Sequence, residues 1–187
     1  GGIATGKTTA INYIKQKNIK VIDSDLIVKE LWQNNLELNQ KAIELFNLKS
    51  LEMVDKKELK QLVFNDQDKL KLLNNLVHPY VLREIERLVN LYRDEKYIII
   101  DMPLLFEIKY EKVDFKVLLH TTENQQITRL IKRDNISIEQ AQLIISKQMK
   151  SNLKLLMADY VIYNNGSIEE LYKNIDIFLK EWENEIK

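Results

Sequence analysis

The chain of 187 residues carries 28 basic and 28 acidic side chains, so its formal net charge is zero. A balanced charge gives no global field that would attract nucleic acid or an anionic membrane. The absence of cysteine excludes disulfides and thiolate zinc sites. Because no apolar run reaches the roughly 18 residues of a membrane helix, we expect a cytoplasmic protein with no membrane or nucleic-acid partner.

The first eight residues, Gly1 to Thr8, fit the P-loop pattern G-x-x-x-x-G-K-[ST]. Converging backbone N–H groups and the following helix N-terminus favour nucleotide phosphates. Lys7 would contact the β- and γ-oxygens, and the Thr8 hydroxyl would be a Mg²⁺ ligand. A flexible glycine-rich terminus is the alternative, and since a P-loop follows a strand, we expect a strand ahead of Gly1. The predicted nucleotide-binding residues are Gly2, Ile3, Ala4, Thr5, Gly6, Lys7, Thr8 and Thr9.

Hydrophobic periodicity predicts alternating strands and helices along the rest of the chain. The predicted strands are 19–22, 97–100, 114–120 and 160–163, of which 97–100 is expected to be buried on both faces. The predicted helices are 8–17, an almost continuous series over 26–95 with a break at Pro79, then 123–133, a helix from Ser137 to about 149, and a final helix after 166. Ser or Thr followed three residues later by Gln or Glu predicts N-caps at Thr122, Ser137 and Ser167. Apolar strands alternating with helices favour an α/β fold with a parallel sheet covered on both faces.

Asp23 and Asp25 follow the strand over 19–22. Residues two apart in an extended backbone point the same way, so we expect both carboxylates on one side. Ligands of open α/β sheets lie at the carboxyl ends of strands, which places these acids where phosphate is presented. One acid would accept or orient the proton of an attacking hydroxyl, and the other would hold metal-bound water. For Asp23, the alternative is an Asx turn that caps the next helix.

Three further features carry candidate chemistry. Asp101 ends an apolar strand, as a Walker-B acid facing Mg²⁺ or substrate would. Arg129 and Arg133 are four apart on a predicted helix, where they would share a face and stabilise the transferring phosphate, unless that face is simply solvated. His78, before Pro79, is typical of a core histidine at a helix break rather than of a catalyst.

Together these segments resemble the dephospho-coenzyme A kinase family over nearly the whole chain. The matching elements are the P-loop with Thr9, Ile22-Asp23-Ser24-Asp25, the positions Asp55, Leu59, Val63-Phe64 and His78-Pro79, the run Asp101-Met102-Pro103-Leu104-Leu105-Phe106-Glu107, the helix positions Gln126, Arg129 and Arg133, Gln148, and the closing Ala158–Ile162 and Asn164-Asn165-Gly166. The run from Asp101 to Glu107 is the most specific of these after the P-loop.

The resemblance implies ATP- and Mg²⁺-dependent phosphorylation of the ribose 3′-hydroxyl of dephospho-coenzyme A. It also implies a P-loop kinase fold with a central five-stranded parallel sheet. One domain would then comprise a core (1–35, 96–133 and 158–187), a helical substrate-binding subdomain (about 36–95) and a lid (about 134–157), acting as a monomer or weak homo-oligomer. The residues implied are Asp25, Lys7, Arg129 and Arg133 in catalysis, Asp25, His78, Asp101, Pro103 and Leu104 in substrate binding, and Thr8 and Asp23 at the metal.

Some residues depart from the family pattern. Ala4 stands where the family usually has glycine, and we expect the loop to form only if φ at Ala4 is negative. Lys56 replaces a usual arginine. The segment 148–158 carries Lys150 and Lys154 but no arginine, so bidentate phosphate contacts are not expected there.

Two other functions fit part of the pattern. The P-loop and paired acids also suit a nucleoside monophosphate or shikimate kinase. Only the Pro103–Glu107 run and the 36–95 helices distinguish the dephospho-coenzyme A kinase family from these enzymes. A nucleotide-binding scaffold without turnover is a third possibility, and the intact Asp23, Asp25 and Asp101 argue against it.

Overall fold

In a computed structural model, the structure describes residues 1–48, 59, 62, 63 and 66–185. The elements in chain order are α1 (Lys7–Gln16), β1 (Lys20–Asp23), α2 (Ser24–Asn34), α3 (Leu36–Phe46), α4 (Gln67–Leu91), β2 (Ile98–Asp101), β3 (Val117–His120), α5 (Glu123–Asp134), α6 (Ile138–Ser146), α7 (Ser151–Met157), β4 (Tyr160–Tyr163) and α8 (Ile168–Glu185). The predicted alternation of strands and helices is confirmed, with β4 at the predicted bounds. The sequence matches at Asp55 and Phe64, and the departure at Lys56, lie outside the described residues.

The strands form two parallel pairs, β1 with β2 and β3 with β4. Parallel pairing was predicted, but the described residues do not confirm one five-stranded sheet. The prediction that the 97–100 strand is buried on both faces is wrong, because every residue of β2 is only half-buried.

The chain divides into two units, Gly1–Ile19 with Pro103–Lys187, and Lys20–Met102. In the first unit, α8 packs on β4 and α1, where Tyr13 stacks on Tyr172 with ring centroids 3.9 Å apart. This unit contains the complete glycine-rich loop and the predicted lid.

The second unit packs α2, α3 and α4 together beside the β1–β2 pair. Ala42, Leu48 and Leu59 form a buried apolar cluster against which Trp32 and Leu76, among others, are packed. The helices of this unit therefore enclose a buried apolar cluster.

The predicted helix break at Pro79 is wrong, because α4 runs through Pro79 for 25 residues. Proline removes one backbone hydrogen bond and costs about 3 kcal/mol in a helix interior. Val77, Tyr80, Val81 and Ile85 are buried around it, and burying an apolar side chain contributes about 1.5–3 kcal/mol each. Packing on both sides of Pro79 therefore offsets the local cost.

Candidate active site

The glycine-rich loop ends in a left-handed turn. Gly6 has φ 93° and precedes the first residue of α1 with no side-chain cap. The first backbone N–H groups of this helix therefore need other acceptors, and an anion can supply them. A Cβ atom on Gly6 would come within 2.3 Å of the Asn164 Nδ2 atom. Glycine is therefore required there both for its conformation and for its lack of a side chain.

Ala4 contradicts the prediction of a negative φ, since its φ is 57°. A left-handed conformation costs an L-residue about 1–2 kcal/mol. Contacts on both sides stabilise it: the Gln126 Nε2 atom donates to the Ile3 carbonyl at 2.6 Å, and the Arg129 Nη1 atom donates to the Ala4 carbonyl at 3.3 Å. The loop thus forms with alanine because its flanking carbonyls are fixed by α5.

The two arginines of α5 have different partners. Arg129 donates to the carbonyls of Ala4, Thr5 and Asn164. Arg133 forms a two-bond ion pair with Asp134, at 2.7 and 2.8 Å, which raises the pKa of its guanidinium further. Arg129 therefore contacts the backbone of the loop, whereas Arg133 contacts an exposed carboxylate.

Two candidate acids of the second unit lie at the carboxyl ends of its strands, as predicted. Asp23 and Asp101 are register partners at the ends of β1 and β2. The prediction that Asp23 and Asp25 leave an extended backbone on one side is wrong, because the helix α2 already begins at Ser24. The Asp23 Oδ1 atom accepts the N–H groups of Asp25 and Leu26 at 3.0 and 3.1 Å, which is the Asx cap. Asp25 lies in the first helical turn and is exposed.

The predicted substrate-binding residues differ in exposure. His78 is half-buried on α4, and burial lowers the pKa of its imidazole, which disfavours the charged form of the ring. Pro103 is half-buried, whereas Leu104 is exposed.

The predicted lid contains two helices instead of one, since α6 ends at Ser146 and α7 begins at Ser151. The capping box at Ser137 is confirmed. Lys154 is buried, and its Nζ atom lies 2.5 Å from the Glu107 Oε1 atom. This lysine is therefore not a solvent-facing phosphate contact. No sequence signal marked this burial, since the neighbouring Leu153 and Leu156 are themselves exposed.

Two amide side chains contact the loop in ways that the motif matches did not predict. The Gln148 Oε1 atom accepts the Ile3 N–H at 2.8 Å, and the Asn164 Nδ2 atom donates to the Thr5 carbonyl at 2.7 Å. Their positions in the sequence gave no sign of these contacts, because both residues are more than 140 positions from the loop.

Among the described residues, no helix is long and apolar enough to cross a membrane. Nor do the described residues bring together three or more His, Cys, Asp or Glu side chains that could hold a metal ion.

Known proteins resemble this chain along most of its length. A family model described as dephospho-CoA kinase matches residues 1–170. The dephospho-CoA kinase of Fusobacterium nucleatum is 37% identical over 182 residues, which are 95% of this chain and 93% of that protein. That of Lactobacillus acidophilus is 39% identical over 185 residues, which are 96% of this chain and 92% of that protein.

Solved structures share the fold. TT1252 from Thermus thermophilus matches with a TM-score of 0.80 at 27% identity, covering 97% of this chain and 94% of that one. The dephospho-CoA kinase from Campylobacter jejuni matches with a TM-score of 0.64 at 26% identity, covering 94% of this chain and 91% of that one.

Proposed function

The chain belongs to the dephospho-CoA kinase family, and from that premise we propose which of its residues carry out phosphate transfer. It is an ATP-using kinase that phosphorylates dephospho-CoA, the last step of CoA biosynthesis. The observation that carries the residue assignment is the loop Gly1–Gly6, which runs through a left-handed Gly6 into the N-terminus of α1. Such an end presents N–H groups and a positive dipole to phosphate.

The phosphates of ATP bind to the backbone of residues 2–9, and Lys7 contacts the β- and γ-oxygens. Lys7 is the first residue of α1, so its ammonium group adds to the positive end of the helix. Charge that builds on the γ-phosphate oxygens and on the leaving β-phosphate is stabilised there.

Asp25 accepts the proton of the ribose 3′-hydroxyl. The hydroxyl oxygen then bonds to the γ-phosphorus, the bond from that phosphorus to the β-phosphate oxygen breaks, and ADP leaves. Two observations favour Asp25 over Asp23: Asp25 is exposed, whereas the Asp23 Oδ1 atom accepts two backbone N–H groups. The Asp23 carboxylate is therefore committed to capping α2.

Arg129 and Arg133 retain catalytic roles in this proposal, by different routes. Arg129 stabilises the loop by donating to the Ala4 and Thr5 carbonyls. Its guanidinium charge lies beside the proposed phosphate site while these hydrogen bonds stay in place. Arg133 would exchange Asp134 for phosphate, and since this pair is exposed, little stability is lost when it separates.

Mg²⁺ is the metal that the oxygen donors suit. Mg²⁺ is commonly bound by one or two protein oxygens, with waters and substrate phosphates completing its shell. The Thr8 hydroxyl, exposed in the first turn of α1, and the Asp23 carboxylate would hold it. When bound, the ion neutralises charge on the β- and γ-phosphate oxygens.

The remaining assignments are part of the same proposal. His78, Asp101, Pro103 and Leu104 bind dephospho-CoA together with the helical subdomain at about 36–95, and residues 134–157 act as a lid on a core of five parallel strands. The enzyme acts in the cytoplasm as a monomer or weak homo-oligomer, without a nucleic-acid or membrane partner.

The test is an ADP-release assay with ATP and Mg²⁺ and a panel of acceptors: dephospho-CoA, AMP, CMP, UMP and shikimate. We expect strong turnover with dephospho-CoA alone. Comparable turnover with AMP or UMP would move the substrate assignment to nucleoside monophosphates. ATP binding with no turnover on any acceptor would favour a nucleotide-binding protein without catalysis.

A further inference from the structure

The carbonyl groups of the glycine-rich loop accept hydrogen bonds from side chains. A trans peptide places its C=O and N–H on opposite sides, and the described chain has no cis peptide bond. A loop that binds an anion through its N–H groups must therefore turn the matching carbonyls away from the anion, toward donors of their own.

Two of these donors are neutral and buried amides. The Gln126 Nε2 atom lies 2.6 Å from the Ile3 carbonyl oxygen, and the Asn164 Nδ2 atom lies 2.7 Å from the Thr5 carbonyl oxygen. Gln126 is 7% exposed and Asn164 is 6% exposed. With so little access for solvent, water is a poor substitute for either donor.

Each bond fixes one peptide plane and hence one N–H group. The Ile3 carbonyl shares its plane with the Ala4 N–H, and the Thr5 carbonyl shares its plane with the Gly6 N–H. Gln126 therefore directs the Ala4 N–H away from α5, and Asn164 directs the Gly6 N–H away from the end of β4.

Both amides are themselves held by regular structure. Gln126 lies in the first turn of α5, where its N–H donates to the Thr122 carbonyl at 3.0 Å. Asn164 directly follows β4, and its own N–H donates to the His120 carbonyl at 2.8 Å. The strand pair and the helix thus transmit their rigidity to the loop.

We propose that Gln126 and Asn164 are positioning residues for nucleotide binding, which hold the Ala4 and Gly6 N–H groups toward the phosphates of ATP. This proposal rests on the phosphate site assigned under the proposed function. It adds that the preorganisation of the loop comes from two buried amides and not from the glycines alone.

The test replaces each amide by its isosteric acid, Asn164→Asp and Gln126→Glu, which exchanges the donating NH₂ group for an oxygen. The matched control is Asn124→Asp, since Asn124 is exposed on the same helix as Gln126 and its replacement introduces the same charge there. Calorimetric titration with ADP measures nucleotide affinity without turnover, and steady-state kinetics give the KM for ATP and for dephospho-CoA separately.

We expect the Kd for ADP and the KM for ATP to rise about 10- to 100-fold in both loop variants, the usual effect of losing one hydrogen bond to a charged group. The KM for dephospho-CoA and all constants of the control variant should stay within about two-fold. A general structural role would instead lower the thermal midpoint without nucleotide and change both KM values together. If Asn164→Asp fails to fold, the ADP affinity and KM values of Gln126→Glu alone test the proposal.

If the folded variants bind ADP as tightly as the wild type, the inference is overturned. The proposed function is not affected by that result. Lost ADP affinity in the variants, combined with a wild type that does not phosphorylate dephospho-CoA, would instead uphold the inference and refute the proposed function.

Discussion

The assignment of the acceptor-side base can be tested by separating the effect of each aspartate on stability from its effect on chemistry. Asp23 caps α2 through two backbone N–H groups, so Asp23→Ala should lower the free energy of unfolding by about 1 kcal/mol, the usual cost of losing a cap. Asp23→Asn should lower it far less, because asparagine is an equally good cap.

Asp25 should show the opposite profile. It lies exposed in the first turn of α2, where a lost negative charge costs about 0.3–1 kcal/mol through the helix dipole. Asp25→Asn removes the base, however, and should lower kcat about 10²–10⁴-fold, which corresponds to roughly 3–5 kcal/mol in the transition state. The catalytic effect thus exceeds the stability effect several-fold.

The assays are thermal or urea unfolding and ADP release at saturating ATP and dephospho-CoA, with ATP affinity measured by titration. We expect ATP affinity to change little in Asp25→Asn, since this residue does not contact phosphate in our assignment. A large loss of kcat in Asp23→Asn alone would reverse the two roles. Equal losses in both asparagine variants would mean that the acids act as a coupled pair.

Three further predictions follow from the loop and the lid. Lys7→Ala should lower kcat about 10²–10³-fold with an unchanged far-UV spectrum, because it removes one group that stabilises transition-state charge. Ala4→Gly should raise the free energy of unfolding by about 0.5–1 kcal/mol, since relief of the left-handed strain exceeds the added entropy of the unfolded chain. Hydrogen exchange should show protection gained within residues 134–157 when a bisubstrate analogue binds, because transfer requires water to be excluded.

Each of these has an outcome that contradicts it. Near-wild-type turnover of Lys7→Ala would mean that the loop is not the phosphate site. The control for Ala4→Gly is Ala10→Gly, at a residue buried in α1, which should lower the free energy of unfolding by about 1 kcal/mol. If both substitutions change this free energy in the same direction, the strain argument is refuted. Unchanged exchange over 134–157 would leave the lid assignment without support.

Sequence reasoning succeeded where structure depends on near neighbours. Thr122 accepts the Gln125 N–H, and Ser167 accepts the Glu170 N–H, as their three-residue spacing predicts. The glycine-rich loop entering α1 and the strand Tyr160–Tyr163 were found from their own residue types, although their partners are distant along the chain. For the two caps the deciding interactions lie three residues apart, so the pattern already contains them.

Asp23 marks the limit of that reasoning. Its position after a strand allowed two outcomes, a carboxylate projecting beside Asp25 or an Asx cap. The start of α2 at Ser24 selected the cap. Where a helix begins within a residue or two depends on packing as well as on local sequence, so the pattern left both outcomes open.

Tertiary structure decided the rest. Pro79 stays inside α4 because apolar residues on either side of it are buried, and Lys154 is buried because Glu107 supplies the opposite charge. The Ile3 and Thr5 carbonyls find their donors 123 and 159 positions away along the chain. The sequence by itself predicted a phosphate-binding loop that runs into a helix, since residue types and spacing define that pattern. Only the fold brought the distant amides to its carbonyls, because a contact across such a separation exists only after the strands and helices have packed.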